Sequence, residues 1–162
     1  MGLCRGKKKL AASGEAQIYG ALGLPFIEPE LRESGEEVAL AAAGKLPPIV
    51  RDKDIQGVLH VHTDASDGGN TLQEMAAAAR RFGYGYLGIA DHSQSAHYAG
   101  GLSIAALEQQ QEQIDRLNQR YGDRFHIFKG VESDILADGS LDYPEEVLEN
   151  CDFVVASVHS RF

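Results

Sequence analysis

Val58-Leu59-His60-Val61-His62-Thr63, followed by Ser66-Asp67-Gly68 and then Thr71-Leu72-Gln73-Glu74, holds a strand, a loop and the opening of a helix. Residues 58–61 are apolar enough for a buried strand. Thr71 and Glu74 make the capping-box pattern that starts a helix. Alternate residues of a strand share a face, so His60 and His62 can reach one point, and Asp67 can return to it from the loop. First-row metal ions accept such mixed nitrogen and oxygen donors. A half-exposed strand that binds nothing fits the pair equally well, and this stretch alone leaves both readings open.

The same alternation continues downstream. Leu72, Met75, Ala76, Ala79 and Phe82 fall on one helical face, and Gly83 stops that helix. Residues 86–90 read as a second strand. Ser103 caps a longer helix with Leu107, Ile114, Leu117 and Tyr121 as its buried stripe. Residues 126–131 make a third strand, Asp142-Tyr143-Pro144-Glu145 opens a third helix, and residues 153–158 make a fourth strand. A βαβαβαβ order implies parallel strands joined by helical crossovers.

On that map, His60 and His62 end the first strand, Asp91-His92 follows the second, Glu132 closes the third and His159 closes the fourth. The C-terminal edge of parallel strands is where barrel enzymes assemble active sites. One polar residue there is easily chance; four strands in succession argue for a metal site. Asp91 is expected to orient a ligand through a hydrogen bond rather than to bind metal. Arg161 admits two readings, a phosphate clamp and an ordinary surface arginine. His97 reads as a solvated loop histidine and His126 as structural. Asp134 and Asp138 read as loop residues, with Asp138-Gly139 a turn signal.

The first fifty residues follow another pattern. Arg5-Gly6-Lys7-Lys8-Lys9 reads as a basic hairpin turn between strands at 2–4 and 10–12, more simply solvated than bound to phosphate. Ser13 is placed to cap a helix over 14–22. Residues 24–29, with two prolines, suit an extended loop; residues 36–43 suit a helix ended by Gly44, and Lys45-Leu46-Pro47-Pro48 marks a boundary. The chain has 162 residues and a formal net charge of −9, which weighs against a general nucleic-acid binder without excluding one. It carries no membrane-length apolar run and no signal-peptide pattern. Cys4 and Cys151, far apart, match no zinc or disulfide spacing, so reduced thiols and a cytoplasmic location are expected.

Gly57-Val58-Leu59-His60-Val61-His62-Thr63, Ala90-Asp91-His92-Ser93, Gly130-Val131-Glu132-Ser133-Asp134 and Ser157-Val158-His159-Ser160-Arg161-Phe162 resemble the early motifs of the PHP (polymerase and histidinol phosphatase) family. The likeness is strongest to the PHP domain at the C-terminus of bacterial family X DNA polymerases, which shares the Asp138-Gly139-Ser140-Leu141-Asp142 turn. Ile18-Tyr19, Ala21-Leu22-Gly23-Leu24-Pro25-Phe26-Ile27 and Pro29-Glu30-Leu31-Arg32-Glu33 resemble the end of that polymerase's thumb and its link to PHP.

The resemblance implies an α/β fold, the N-terminal part of an irregular seven-stranded (β/α) PHP barrel with about four βα units, preceded by a small α+β segment. Residues 1–50 would be the thumb-like segment and linker, and 51–162 an incomplete PHP phosphoesterase domain. It further implies two to three divalent ions, Mn²⁺ or Zn²⁺, held by His60, His62, Asp67, His92, Glu132 and His159, with Glu132 bridging. From the residues themselves, Glu132, Asp91 and Arg161 are expected to serve catalysis. A later His and a final Asp-x-His of the family have no counterpart before Phe162, so the chain is expected to be a piece of a longer protein. The implied activity is a 3′–5′ exonuclease acting on DNA 3′ ends in repair, with no membrane partner. A small-molecule phosphatase of the histidinol-phosphatase type and a non-catalytic structural PHP module are the alternatives.

Overall fold

The computed structural model describes residues 3–11 and 14–159, and the chain divides into two units, Met1–Arg51 and Asp52–Phe162. In the first, β1 (Leu3–Arg5) and β2 (Lys8–Ala11) pair antiparallel, with Arg5 opposite Lys8. The basic cluster is therefore mostly strand, and only Gly6 and Lys7 turn; Gly6 takes the left-handed φ of 61° that glycine tolerates. Helix α1 (Glu15–Ala21) follows; Ser13, its expected cap, lies outside the described residues. The proline-rich loop is held by Arg32, which donates to the Ile27 carbonyl at 2.8 and 3.0 Å and to the Glu15 carboxylate at 2.9 and 3.1 Å. Helix α2 (Glu37–Ala42) ends before Gly44 at φ 67°.

The second unit is a four-stranded parallel sheet in the order β3 (Gly57–Val61), β4 (Tyr86–Ile89), β5 (His126–Asp134), β6 (Phe153–Ser157). Between the strands run α3 (Leu72–Arg81), α4 (Ile104–Tyr121) and the one-turn α5 (Glu145–Leu148). Sequential order is what short βαβ crossovers produce. Leu72, Ala76 and Ala79 of α3 and Ile114 and Leu117 of α4 pack on Leu87, Ile89, Phe125 and Ile127. A second cluster joins Leu102, Leu107, Val131 and Tyr143 beneath α5. Apolar burial of this kind contributes about 1.5–3 kcal/mol per large side chain.

Two expectations need correction. Phe82 is 76% exposed rather than part of the α3 face, because α3 ends at Arg81 and the chain turns away at Gly83, φ 83°. The third strand also runs three residues beyond Val131. Glu132, Ser133 and Asp134 pair with Val155, Ala156 and Ser157 of β6, so Ser133 and Asp134, which read as loop, are buried strand.

On the sheet face away from these helices, Phe153 lies across two glycines. A Cβ on Gly130 would collide with its ring and with the Ile89 carbonyl, and one on Gly88 would meet its edge at 2.9 Å and Leu59 Cδ2 at 2.5 Å. Small residues on β4 and β5 thus admit one large ring from β6.

Candidate metal centre

His60 carries a φ of 62°, unusual for any side chain with a Cβ, and the β3–β4 register shifts between Val58 and Val61. The bulge breaks plain alternation, yet His60 and His62 still converge: their Nε2 atoms lie 3.3 and 3.2 Å from Glu132 Oε2. His92, directly after β4, brings Nδ1 to 3.1 Å from the same oxygen, and His159, after β6, brings Nε2 to 3.3 Å from Oε1. Asp67 returns from the loop after β3, with Oδ1 2.7 Å from His62 Nδ1 and Oδ2 3.5 Å from His92 Nε2. The six residues form three overlapping groups, His60-His62-Glu132, His62-Asp67-His92 and His92-Glu132-His159, whose donor atoms lie within 4.8 Å of one another.

These donors suit divalent ions. Three imidazole nitrogens crowd Glu132 Oε2, yet that oxygen and His92 Nδ1 are buried without an aligned hydrogen bond. Ligand atoms about 2.0 Å from a tetrahedral ion stand about 3.3 Å apart, so the observed 3.1–3.3 Å contacts are the spacing of atoms sharing an ion. Burial works to raise the Glu132 carboxyl, but the hydrogen bond from Ser157 (2.6 Å) and the neighbouring imidazoles of His60 and His92 hold it below the ordinary glutamate range. The contact with His62 holds Asp67 low, and the Asp134 carboxylate beside His159 raises that imidazole.

Asp134, read from sequence as a loop residue, is buried at the end of β5 with Oδ1 2.7 Å from His159 Nδ1. Its position two residues after Glu132 on a strand was the available signal. Asp91 does not touch an imidazole. Its buried carboxylate accepts from Thr63 N and Oγ1 at 2.7 Å each, Ser66 Oγ at 2.5 Å and Gln110 Nε2 at 2.6 Å. It therefore fastens the loop that carries Asp67. Gln110 occupies the buried stripe of α4 between Leu107 and Ile114, a polar residue in an apolar register that the stripe itself could have flagged. Tyr98, which follows the loop histidine His97 and carries no role in the sequence reading, sits beside the cluster with its ring 6.0 Å from His92 and 6.1 Å from His159. Burial and the nearby carboxylates of Asp134 and Glu132 push its hydroxyl up, so it stays protonated. His97 and His126 are exposed and outside the cluster. Arg161 lies outside the described residues.

A parallel sheet delivering histidines and carboxylates from the ends of four successive strands defines a metal-site α/β protein, and sequence comparison agrees. Residues 59–162 match the PHP domain, and the chain belongs to that family. It is 45% identical over 148 residues to the DNA polymerase/3′–5′ exonuclease PolX of Bacillus subtilis (strain 168), spanning 91% of this chain and 25% of that protein. It is also similar to a probable phosphatase of Caldicellulosiruptor saccharolyticus, 35% identical over 108 residues, and to one of Acetivibrio thermocellus, 40% identical over 108. Those matches span 62% of this chain and 40% and 39% of the phosphatases. The chain thus covers about a quarter to two fifths of the length of these relatives.

Proposed function

We propose that this chain is part of a metal-dependent phosphoesterase that removes nucleotides from DNA 3′ ends, the exonuclease portion of a family X DNA polymerase. The observation that carries the DNA assignment is the extent of the PolX likeness. At 148 residues it is longer than the whole Asp52–Phe162 unit, so it takes in much of the first unit as well. In this reading residues 1–50 are the end of a thumb-like segment and linker, and 51–162 belong to a PHP barrel whose remaining strands would complete seven.

His60, His62, Asp67, His92, Glu132 and His159 would hold two to three Mn²⁺ or Zn²⁺ ions, with Glu132 shared between them. When bound, such ions acidify water at neutral pH and offset negative charge on a phosphoryl group. The chain's residues prepare that site. Asp134 fixes the His159 ring, Ser157 fixes Glu132, and Asp91 fixes the Asp67 loop. Arg161, two residues beyond His159, would clamp the substrate phosphate.

The test is the full gene product with Mn²⁺ and a 5′-labelled single-stranded oligonucleotide. A ladder of products shortened from the 3′ end is expected. The likeness to probable phosphatases supports a second reading, hydrolysis of small phosphomonoesters. Free phosphate from histidinol phosphate with the oligonucleotide left intact would favour it and overturn the exonuclease assignment.

A further inference from the structure

Resting on the exonuclease reading, we infer that Tyr98 is a stacking platform for the base of the terminal nucleotide, which makes the site selective for nucleic-acid ends. Tyr98 is 67% exposed, although aromatic rings contribute most when covered. Its loop is not loose. In the short turn His97–Ala99, buried Ala96 just before it and buried Ala99 at its end hold the backbone down, while His97 and Tyr98 project and Tyr98 alone meets the cluster's rings.

The anchors are numerous. Ser95 N donates to Asp142 Oδ2 at 2.7 Å and Ser95 Oγ to Asp134 Oδ2 at 3.0 Å. Ala99 N and Gly101 N both reach the Ala96 carbonyl, at 2.9 and 3.1 Å, and Leu102 N reaches the His92 carbonyl at 2.8 Å. Gly101 has no room for a Cβ against the Ser93 carbonyl, and Gly100 takes a φ of 67°. A pre-set loop therefore presents one ring beside two of the cluster's imidazoles, in edge-on contact with His92 and His159 at interplanar angles of 64° and 67°. Among the described residues no hydrogen bond reaches the Tyr98 hydroxyl, and the ring's contacts with the cluster are the two edge-on ones.

A phosphodiester seated at the cluster has its nucleoside within one nucleotide's reach, and any base offers a flat face to an aromatic ring. A small aliphatic phosphomonoester offers none, and histidinol phosphate offers only one small imidazole. The platform thus separates the two substrate classes by the size of the flat face rather than by charge, as suits a chain of net charge −9.

The experiment uses the full gene product, with oligonucleotides carrying either a normal or an abasic 3′-terminal nucleotide, and the variants Tyr98→Ala, Tyr98→Phe and Tyr98→Trp. Tyr98→Ala should raise KM for the normal end about tenfold, leave kcat within about twofold, and leave the abasic end unchanged. Phe and Trp should restore the wild-type preference. Without added divalent ion, a 3′-terminal 2-aminopurine should be quenched on binding wild type, Phe and Trp proteins and not the Ala variant. Equal quenching by Tyr98→Ala, or the same loss on both ends, would overturn the platform while leaving the exonuclease assignment intact. If wild type shortens no DNA, the exonuclease reading falls and the platform with it.

Discussion

Glu132 concentrates the chemistry of this protein in one side chain. It is only 4% exposed, and four imidazoles approach its two oxygens. Removing it leaves those rings without their shared acceptor, so Glu132→Ala should abolish Mn²⁺-dependent digestion, as should His60→Ala. Retained digestion in either variant would count against these residues as ligands. Asp91 acts at one remove. Its carboxylate accepts four hydrogen bonds, three of them from the Thr63–Ser66 segment. Asp91→Asn turns one acceptor into a donor facing donors, which frees the loop before Asp67. Support residues of this kind typically affect metal affinity by 10–100-fold, so Mn²⁺ affinity by calorimetry should fall about tenfold while circular dichroism stays unchanged. Unaltered affinity would make Asp91 purely structural.

At the scale of elements, α3 begins with a complete capping box: the Thr71 hydroxyl accepts from Glu74 N at 3.2 Å and Thr71 N donates to Glu74 Oε2 at 2.9 Å. Thr71→Ala should cost about 1 kcal/mol in urea unfolding. The bond from Thr71 N holds the Glu74 carboxyl below its ordinary 4.5. A lowered folded value means the contribution is complete above pH 4.5 and disappears as pH falls through that lowered value. Glu74→Gln keeps the acceptor and removes the titration, so the variant should show a shallower loss of stability between pH 4.5 and the acid limit. An identical acid limb would remove Glu74 from the account. On the opposite sheet face, Gly130→Ala should destabilise by about 1–3 kcal/mol through overpacking against Phe153. Adding Phe153→Leu should recover part of that loss, though not the clash with the Ile89 carbonyl. Strict additivity would mean the ring is not what fills the glycine gap.

Across the whole second unit, the six proposed ligands come from the ends of all four strands, so an ion bound there would tie the sheet together. A ligand that binds only the folded form stabilises it, by about 2.7 kcal/mol at one hundred times its Kd. Added Mn²⁺ should therefore raise the Tm of the wild-type protein and leave that of Glu132→Ala unmoved. A Tm shift of equal size in the variant would place the ion elsewhere. No helix among the described residues is long and apolar enough to cross a membrane.

The sequence by itself determined the alternation of strand and helix, the capping of α3, and the set of histidines and acids that end the strands. These are local signals: apolar periodicity, a Thr-x-x-Glu spacing, polar residues closing apolar runs. Only the tertiary structure decided the rest. That β5 runs on past Glu132 through Ser133 and Asp134 depends on pairing with β6, some twenty residues later, which satisfies a backbone whose side chains read as loop. Asp134 on His159, Asp91 on the Asp67 loop and Tyr98 beside His159 are contacts between segments distant in the chain. Such contacts leave no period in a sequence, because they are set by where the sheet brings strand ends together.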